Sequence, residues 1–524
     1  MRRCALAALA GVAIILGFCL SAAAQDEIVI ALGADVTSAD PHYHNLSPNN
    51  NIAGHLFDRL VHQDEKQRLI PGLALSWRPI DDTTWEFTLR QGVRFHDGSP
   101  FDAQDVVATV KRAPNVPNSP SSFGLYTKAI KETIVVDPYT VRFKTATPHA
   151  LLPNDLSSIH VISRRYETAS TADFNAGKAT LGTGPFKLAE FVLKEKIVLD
   201  RNDAYWGPKA DWRRVTLKLI TNDSARVAAL LAGDVHLIEN VPTTDIQKVK
   251  ASPNLAVFAT VSNRIIYLHL DSNRDQAPFL LDKAGKPLVK NPIKDVRVRR
   301  AMSKAINRPA IVERVMSGAA IPAGQLLPEG FFGVSPTLKP EVYDPAGARK
   351  LLAEAGYPDG FRITLHSPNN RYVNDEQIAQ AVAQMLTQVG IDTRVEAMPS
   401  ATFFTRATKL EFSLMLVGWG SGTGETSSPL RSLLATYEKD SGMGATNRGR
   451  YSNPKMDALV AQALVTVDDQ KREKLLAEAS EVAMQDVGLI PLHYQVNYWA
   501  ARKGLTYSPR ADEYTLAHLV RKGN

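Results

Sequence analysis

Cysteine is nearly absent from this chain: 524 residues contain two, Cys4 and Cys19. Both fall in an N-terminal stretch that reads as a cleaved leader, so the mature chain is expected to hold none. That rules out disulfides, thiol catalysis and a cysteine metal site. An exported chain of this size without crosslinks must be held by its core, and about 500 residues bury ample apolar surface for that. After residue 20 no apolar run is long enough to span a bilayer. Long runs of one charge are missing too. The formal charge of +7 falls to +5 without Arg2 and Arg3, and there is no zinc-finger spacing and no basic helix with interleaved aromatics. Nucleic acid is thereby disfavoured as a partner. Neither a GxSxG elbow nor HExxH occurs, and the pair Ser157 and Ser158 has no visible catalytic partner, which disfavours an exported hydrolase. No internal repeat or low-complexity segment appears, and length alone corresponds to two to four domains.

What is present begins with MRRCALAALAGVAIILGFCLSAAAQDE. Two arginines, an apolar run over 5–20 and small residues ending in Ala22, Ala23 and Ala24 have the order of a secretory signal, with cleavage expected between Ala24 and Gln25. Phe18 stands before Cys19 where a lipidation signal needs a small residue, which argues against a lipoprotein. The mature product is expected to be soluble and periplasmic.

Residues 77–110 read WRPIDDTTWEFTLRQGVRFHDGSPFDAQDVVATV. Trp85, Phe87 and Leu89 alternate with Glu86, Thr88 and Arg90, the period of a half-buried strand. Gly92 and His96-Asp97-Gly98 supply turn chemistry. Asp102 then caps a helix with Val106, Val107 and Val110 on one face. By themselves these are elements of many α/β proteins. Downstream, GTGPFKL (182–188) enters another strand and lacks the spacing and Ser/Thr of a phosphate loop. NDAYWG follows at 202–207. DVRVRRAMSKAINRPAIVERVMSG (295–318) has apolar residues at helical spacing, with the arginines at 297, 299 and 300 read as a solvated face. YDPAGARKLLAEAGYPDG (343–360) is a helix starting near Pro345 and stopped by Gly356 and Pro358. Further helices over 377–390, 456–465 and 472–484 alternate with strands over 361–366, 391–395, 412–417 and 489–494, which argues for α/β layers.

The ordered set of these strings resembles family 5 extracellular solute-binding proteins, the group that delivers peptides, nickel and related cargo to ABC importers. The resemblance implies an α/β, two-lobed periplasmic-binding-protein type II fold with an extra subdomain inserted in the first lobe. Carried onto this chain, lobe I is 25–57 with 185–268 and 492–524, the extra subdomain is 58–184, and lobe II is 269–491. It further implies a monomeric receptor that closes on a small solute and hands it to an inner-membrane permease with its ATPase. No chemistry and no cofactor are implied. A peptide-holding chaperone or a signalling receptor could use the same cleft.

Two loops are candidates for the ligand site. SPNNRYVNDE (367–376) places Arg371 at the C-terminal end of a strand, where open α/β sheets commonly bind ligands. It resembles the RPYN segment of dipeptide-binding proteins, whose arginine pairs with the peptide carboxylate. A guanidinium matches a carboxylate bidentately, as lysine cannot. GWGSGTGETSSP (418–429) carries four glycines in seven residues, so its backbone can approach a ligand closely beside Trp419. Gly420, Gly422 and Thr423 belong to that wall. Dipeptide-binding relatives have an aspartate three positions after this tryptophan, where it receives the α-ammonium, and here that position is Gly422. Glu425 then either takes over the role or the cargo is an acid without a free amine. Tyr43 and His44, in PHYHN (41–45), are expected at the cleft edge. His42 and His44 would share one face of an extended strand, the spacing of a metal pair, although polar cleft residues fit as well. Phe123 and Tyr126 either line the cleft from the extra subdomain or pack in its core.

Overall fold

The structure, a computed structural model, describes residues 26–439 and 441–523, so the leader lies outside the described residues. No helix among the described residues is long and apolar enough to cross a membrane.

Alternation builds the small sheet first. Strand Thr84–Leu89 buries Trp85, Phe87 and Leu89 and pairs antiparallel with Ala74–Asp81 on one side and Thr140–Thr145 on the other, with Ile130–Asp137 at the far edge. Helix Ala103–Arg112 covers this sheet. Asp102 and Asp105 form a capping box at its start, which satisfies backbone N–H groups the helix leaves open. This four-stranded unit, with its own core, lies wholly inside 58–184. It is joined to lobe I through the GTGPFKL glycines: a Cβ on Gly182 would stand 1.9 Å from the Leu56 carbonyl oxygen, so only glycine lets the two backbones touch.

The large sheet has twelve strands and runs through both lobes. In lobe I, Glu27–Leu32 pairs parallel with Arg214–Leu219 and Leu237–Ile238 over a core that includes Ile28, Ile30, Leu217 and Trp499. In lobe II, Phe361–Pro368 pairs parallel with Ile391–Met398 and Leu414–Gly420. Period-2 alternation divides lobe II into two cores. Leu414 and Leu416 face one side with the helices Val296–Lys304 and Asp375–Gln388, while Met415 and Val417 face the other with Asp469–Gln485.

Two long antiparallel strands, Leu255–Leu270 and Ile490–Arg502, carry the sheet from one lobe to the other. Their ladder is interrupted between Val261 and Ile265. There Glu513 takes the loosened groups: the Ser262 hydroxyl donates to it at 2.7 Å, and Arg264 donates from Nε and Nη2 at 3.0 and 2.8 Å. Burial works against both charges and the pairing overrides it, so Glu513 sits below the usual carboxylate range and Arg264 above its ordinary value.

One sequence expectation is corrected. Arg297 is exposed and Arg300 half-buried, but Arg299 is buried, donating to the carbonyls of Ile293, Lys294, Asp486 and Val487 and to the Asp486 carboxylate. It ties the start of its helix to the chain leaving Asp469–Gln485. A string of arginines on paper does not reveal which one finds carbonyls to cap.

Candidate functional site

A cavity of about 280 Å³ lies between the lobes. Its lobe II wall is the turn after strand Leu414–Gly420, where Trp419, Gly420, Gly422 and Thr423 all reach the space. The glycines let this loop lie directly against the first lobe. Gln63 Nε2 donates to the Gly422 carbonyl at 3.1 Å, Gln67 Nε2 to the Ser421 carbonyl at 3.0 Å, and Asn154 Nδ2 to the Thr423 carbonyl at 3.3 Å. Asn263, in the interrupted part of the inter-lobe ribbon, donates to Gln67 Oε1 at 2.6 Å and to the Ser421 carbonyl at 2.7 Å. Gly424 has φ +69°, and a Cβ there would come within 2.7 Å of Gln67 Cβ. The lobes are therefore in contact around the cavity, and the contact runs through backbone that side chains would hold apart.

The cavity is polar. The Tyr126 phenol stands beside Gly422, and burial raises its pKa, with Asp155 adding to the rise and Arg431 opposing it. Arg59 donates from Nε to His160 Nε2 at 3.1 Å, and burial lowers its pKa. Asp155 accepts from His149 Nε2 at 2.7 Å, if that nitrogen carries the proton. Asp512 is gripped by Arg510 through Nε and Nη2 at 3.0 and 2.6 Å. The Trp419 indole N–H is buried and has no hydrogen-bond partner among the described residues. A buried donor without an acceptor costs free energy until something supplies one.

Other expected site residues fall elsewhere. Glu425 does not face the cavity. Both its carboxylate oxygens lie 2.6 and 2.7 Å from Arg472 Nη1, and Ser427 donates to it at 2.9 Å. Burial pushes its carboxyl above the usual range even with Arg472 beside it. The role of receiving a ligand ammonium is thus closed to Glu425 in this arrangement, because its acceptor oxygens already hold an internal cation. Arg371 is exposed at the rim, outside the cavity wall. Asp375 accepts from the backbone N–H of both Arg371 and Tyr372 at 2.9 and 3.0 Å, which fixes the loop and leaves the guanidinium 5.2 Å above the Tyr372 ring. Partial desolvation, then the nearby Arg264 charge, lower its pKa.

Phe123 is fully buried against His42, Tyr126, Ala113 and Ile159, so it packs the subdomain core while its neighbour Tyr126 reaches the ligand space. Tyr43 is half-buried, its carbonyl accepting from Ser119 at 2.6 Å, and it does not line the cavity. His44 shares a 3.1 Å hydrogen bond with Thr37, whereas His42 is buried, with Nε2 2.7 Å from the His160 carbonyl and Arg112 at its other nitrogen. The two rings do not converge, and no group of three or more metal-capable side chains occurs among the described residues.

The sequence reading missed Arg59, Gln63, Gln67, Asp155, Asn263, Arg431 and Asp512. Only Arg431, two residues beyond the glycine-rich string, carried a positional signal. The others reach the site from segments up to about 450 positions apart in the chain, a separation no local pattern encodes.

The family model "Bacterial extracellular solute-binding proteins, family 5 Middle" matches residues 68–441. The chain is 31% identical over 497 residues to the glutathione-binding protein GsiB of Salmonella paratyphi A, covering 93% of this chain and 92% of that protein. It is 30% identical over 497 residues to GsiB of Escherichia coli K12, with 92% of each covered. Among solved structures, the periplasmic binding protein DppA of Helicobacter pylori in complex with peptide STSA superposes with TM-score 0.77 at 25% identity, covering 95% of this chain and 98% of that one. HbpA2 of Haemophilus parasuis superposes with TM-score 0.81 at 23% identity, covering 95% and 100%.

Proposed function

Because the chain belongs to the family 5 bacterial extracellular solute-binding proteins, we propose that it is the periplasmic receptor of an ABC importer for a peptide or peptide-like solute bearing a carboxylate. Closing on that solute, the receptor presents it to a membrane permease. The observation that carries this reading is the inter-lobe cavity. At about 280 Å³ it lies just below the roughly 300–1,000 Å³ typical of small-molecule sites, which suits a small solute of about dipeptide size. Its wall offers amide, hydroxyl and guanidinium donors, the set that a carboxylate and peptide carbonyls require.

The mechanism is hinge closure. Lobe I contributes Gln63, Gln67, Tyr126 and Asp155, lobe II contributes the 419–423 turn and Arg431, and a solute touching both walls binds the closed form better than the open one. Only that differential affinity shifts the population. The protein acts as a monomer that reaches the periplasm through residues 1–24.

Catalysis is not part of this reading. Ser157 and Asp155 lie near each other in the cavity, but Ser157 donates to the Asn154 carbonyl at 2.7 Å and His149 engages Asp155, so no serine–histidine relay is assembled.

The test is native mass spectrometry of protein purified from periplasm, followed by calorimetry with reduced glutathione and short peptides. A retained solute of this class, or saturable binding of a panel member, is expected. A protein that retains nothing and binds no panel member would refute the ligand class.

A further inference from the structure

Among the described residues, five charged side chains reach the cavity wall: Arg59, Arg264, Arg431, Asp155 and Asp512. Four of them are engaged within the protein. Arg264 grips Glu513, Asp512 is gripped by Arg510, Arg59 is bonded to His160 within reach of the Asp512 charge, and Asp155 meets His149. Arg431 differs: its guanidinium has no hydrogen bond and no ion pair with any described residue. Its backbone is nonetheless firmly placed. Arg431 belongs to the turn Leu430–Leu434, whose Leu430, Leu433 and Leu434 are fully buried, and its carbonyl accepts from Gly444 N–H at 2.8 Å. An unpaired cation on a rigid turn aimed at a cleft is a preorganised anion receptor.

Asp155 stands on the other wall. It belongs to helix Leu152–Leu156 of the first lobe's extra subdomain, is buried, and has a histidine as its hydrogen-bond partner where the other cavity acid has an arginine. Arg431, Asp155 and Tyr126 line the same cavity. Lobe II thus supplies a cation and lobe I an anion to one enclosed space.

Resting on the receptor reading above, we propose that Arg431 is the carboxylate anchor of the ligand and that Asp155 receives its cationic end, so that a zwitterionic solute bridges the lobes with its carboxylate toward lobe II. This gives the ammonium function, absent at Gly422 and closed at Glu425, to a residue on the opposite lobe. It also explains how closure can be selective. A neutral analogue satisfies neither wall, and a solute with only one of the charges holds only one lobe, so the closed form gains most from the full zwitterion.

The experiment is calorimetry of wild type, Arg431→Gln, Arg431→Lys and Asp155→Asn with reduced glutathione, Ala-Ala and Ala-Ala-Ala, and with the same alanine peptides amidated at the C-terminus or acetylated at the N-terminus. Apo melting curves check that each variant is folded. Arg431→Gln should weaken free-acid peptides by roughly 30-fold or more, equivalent to about 2 kcal/mol at 1.4 kcal/mol per tenfold, while amidation adds no further loss in that variant. Arg431→Lys should fall between, because it keeps the charge and loses the fork. Acetylation should weaken binding to wild type and leave Asp155→Asn unchanged. Wild-type affinity in Arg431→Gln, or undiminished discrimination against amides, would overturn the anchor. Should no peptide bind wild type, the peptide class falls and melting temperatures in acetate, succinate and glutarate decide the anchor separately: stabilisation of wild type but not of Arg431→Gln supports it, and no stabilisation of wild type overturns it.

Discussion

Replacing Arg472 by methionine tests whether Glu425 is structural. Arg472 and Glu425 are nearly inaccessible, at 6% and 4% side-chain exposure, and they meet through two contacts of 2.6 and 2.7 Å. The Arg472 guanidinium also stacks 4.4 Å from the Phe332 ring, a contact that a methionine stem largely keeps. The single substitution therefore removes the charge with little loss of packing and leaves a buried carboxylate with only the Ser427 hydroxyl. Breaking a buried pair in this way costs about 3–5 kcal/mol. Adding Glu425→Gln to the same chain removes the orphaned charge and should restore most of that loss, so the double variant lies within about 1–2 kcal/mol of wild type. Urea denaturation of the four proteins, followed by circular dichroism, reads the cycle. A cost for Arg472→Met below about 1 kcal/mol would mean that Glu425 is not held as an internal charge, and would return it to the pool of groups a ligand could use. Under the present reading Glu425→Gln leaves discrimination against N-acetylated peptides intact.

Gly424→Ala should prevent full closure, because the added Cβ meets Gln67 at 2.7 Å on a φ of +69°; small-angle scattering at saturating ligand should then fail to show the compaction expected of wild type, and compaction equal to wild type would contradict the clash. Gln67→Ala removes one bond to the Ser421 carbonyl and should cost closure about 0.5–1.5 kcal/mol, read as a two- to tenfold loss of affinity common to all ligands. His493 is buried with neither ring nitrogen partnered among the described residues, and burial lowers its pKa from 6.5 to about 4. Its folded-state pKa is depressed, so its contribution is fully present above pH 6.5 and is lost as pH falls toward 4, amounting to about 3 kcal/mol at 1.36 kcal/mol per unit. His493→Leu should therefore flatten the acid limb of the stability curve between those pH values, and an unchanged limb would refute the assignment. Intact-mass analysis of periplasmic protein should find Gln25 at the N-terminus; an acylated species beginning at Cys19 would overturn the cleavage site.

Local rules made much of the framework legible. The alternation at 85–89, the Asp102 cap and the helix beginning at Pro345 are each decided by neighbours within a few positions, and they stand as read. The glycine-rich turn after Trp419 was also legible, because four glycines in seven residues announce close backbone approach. Pairings made over long separations were not. Glu425 meets Arg472 after 47 positions, Arg299 meets Asp486 after 187, and Gln67 meets Ser421 after 354. For such residues type and spacing say only that a charge or an amide exists. Whether it faces a cavity, solvent or an internal partner is settled by the tertiary fold, which is why the Arg472 partner of Glu425 and the place of Arg431 in the cavity wall were not readable.

The interrupted ladder in the inter-lobe ribbon separates two properties that binding proteins are often assumed to tune together. Ser262 and Glu513 lie where the two strands lose register, and neither lines the cavity. A change at Ser262 alters the cost of bending the ribbon, and that cost is the same whichever solute is enclosed. The walls rank the solutes; the ribbon sets how tightly all of them are held. A lineage could thus adjust its receptor to scarce or abundant nutrient by substitution at Ser262 while leaving the order of preference untouched, a volume control separate from the tuning dial.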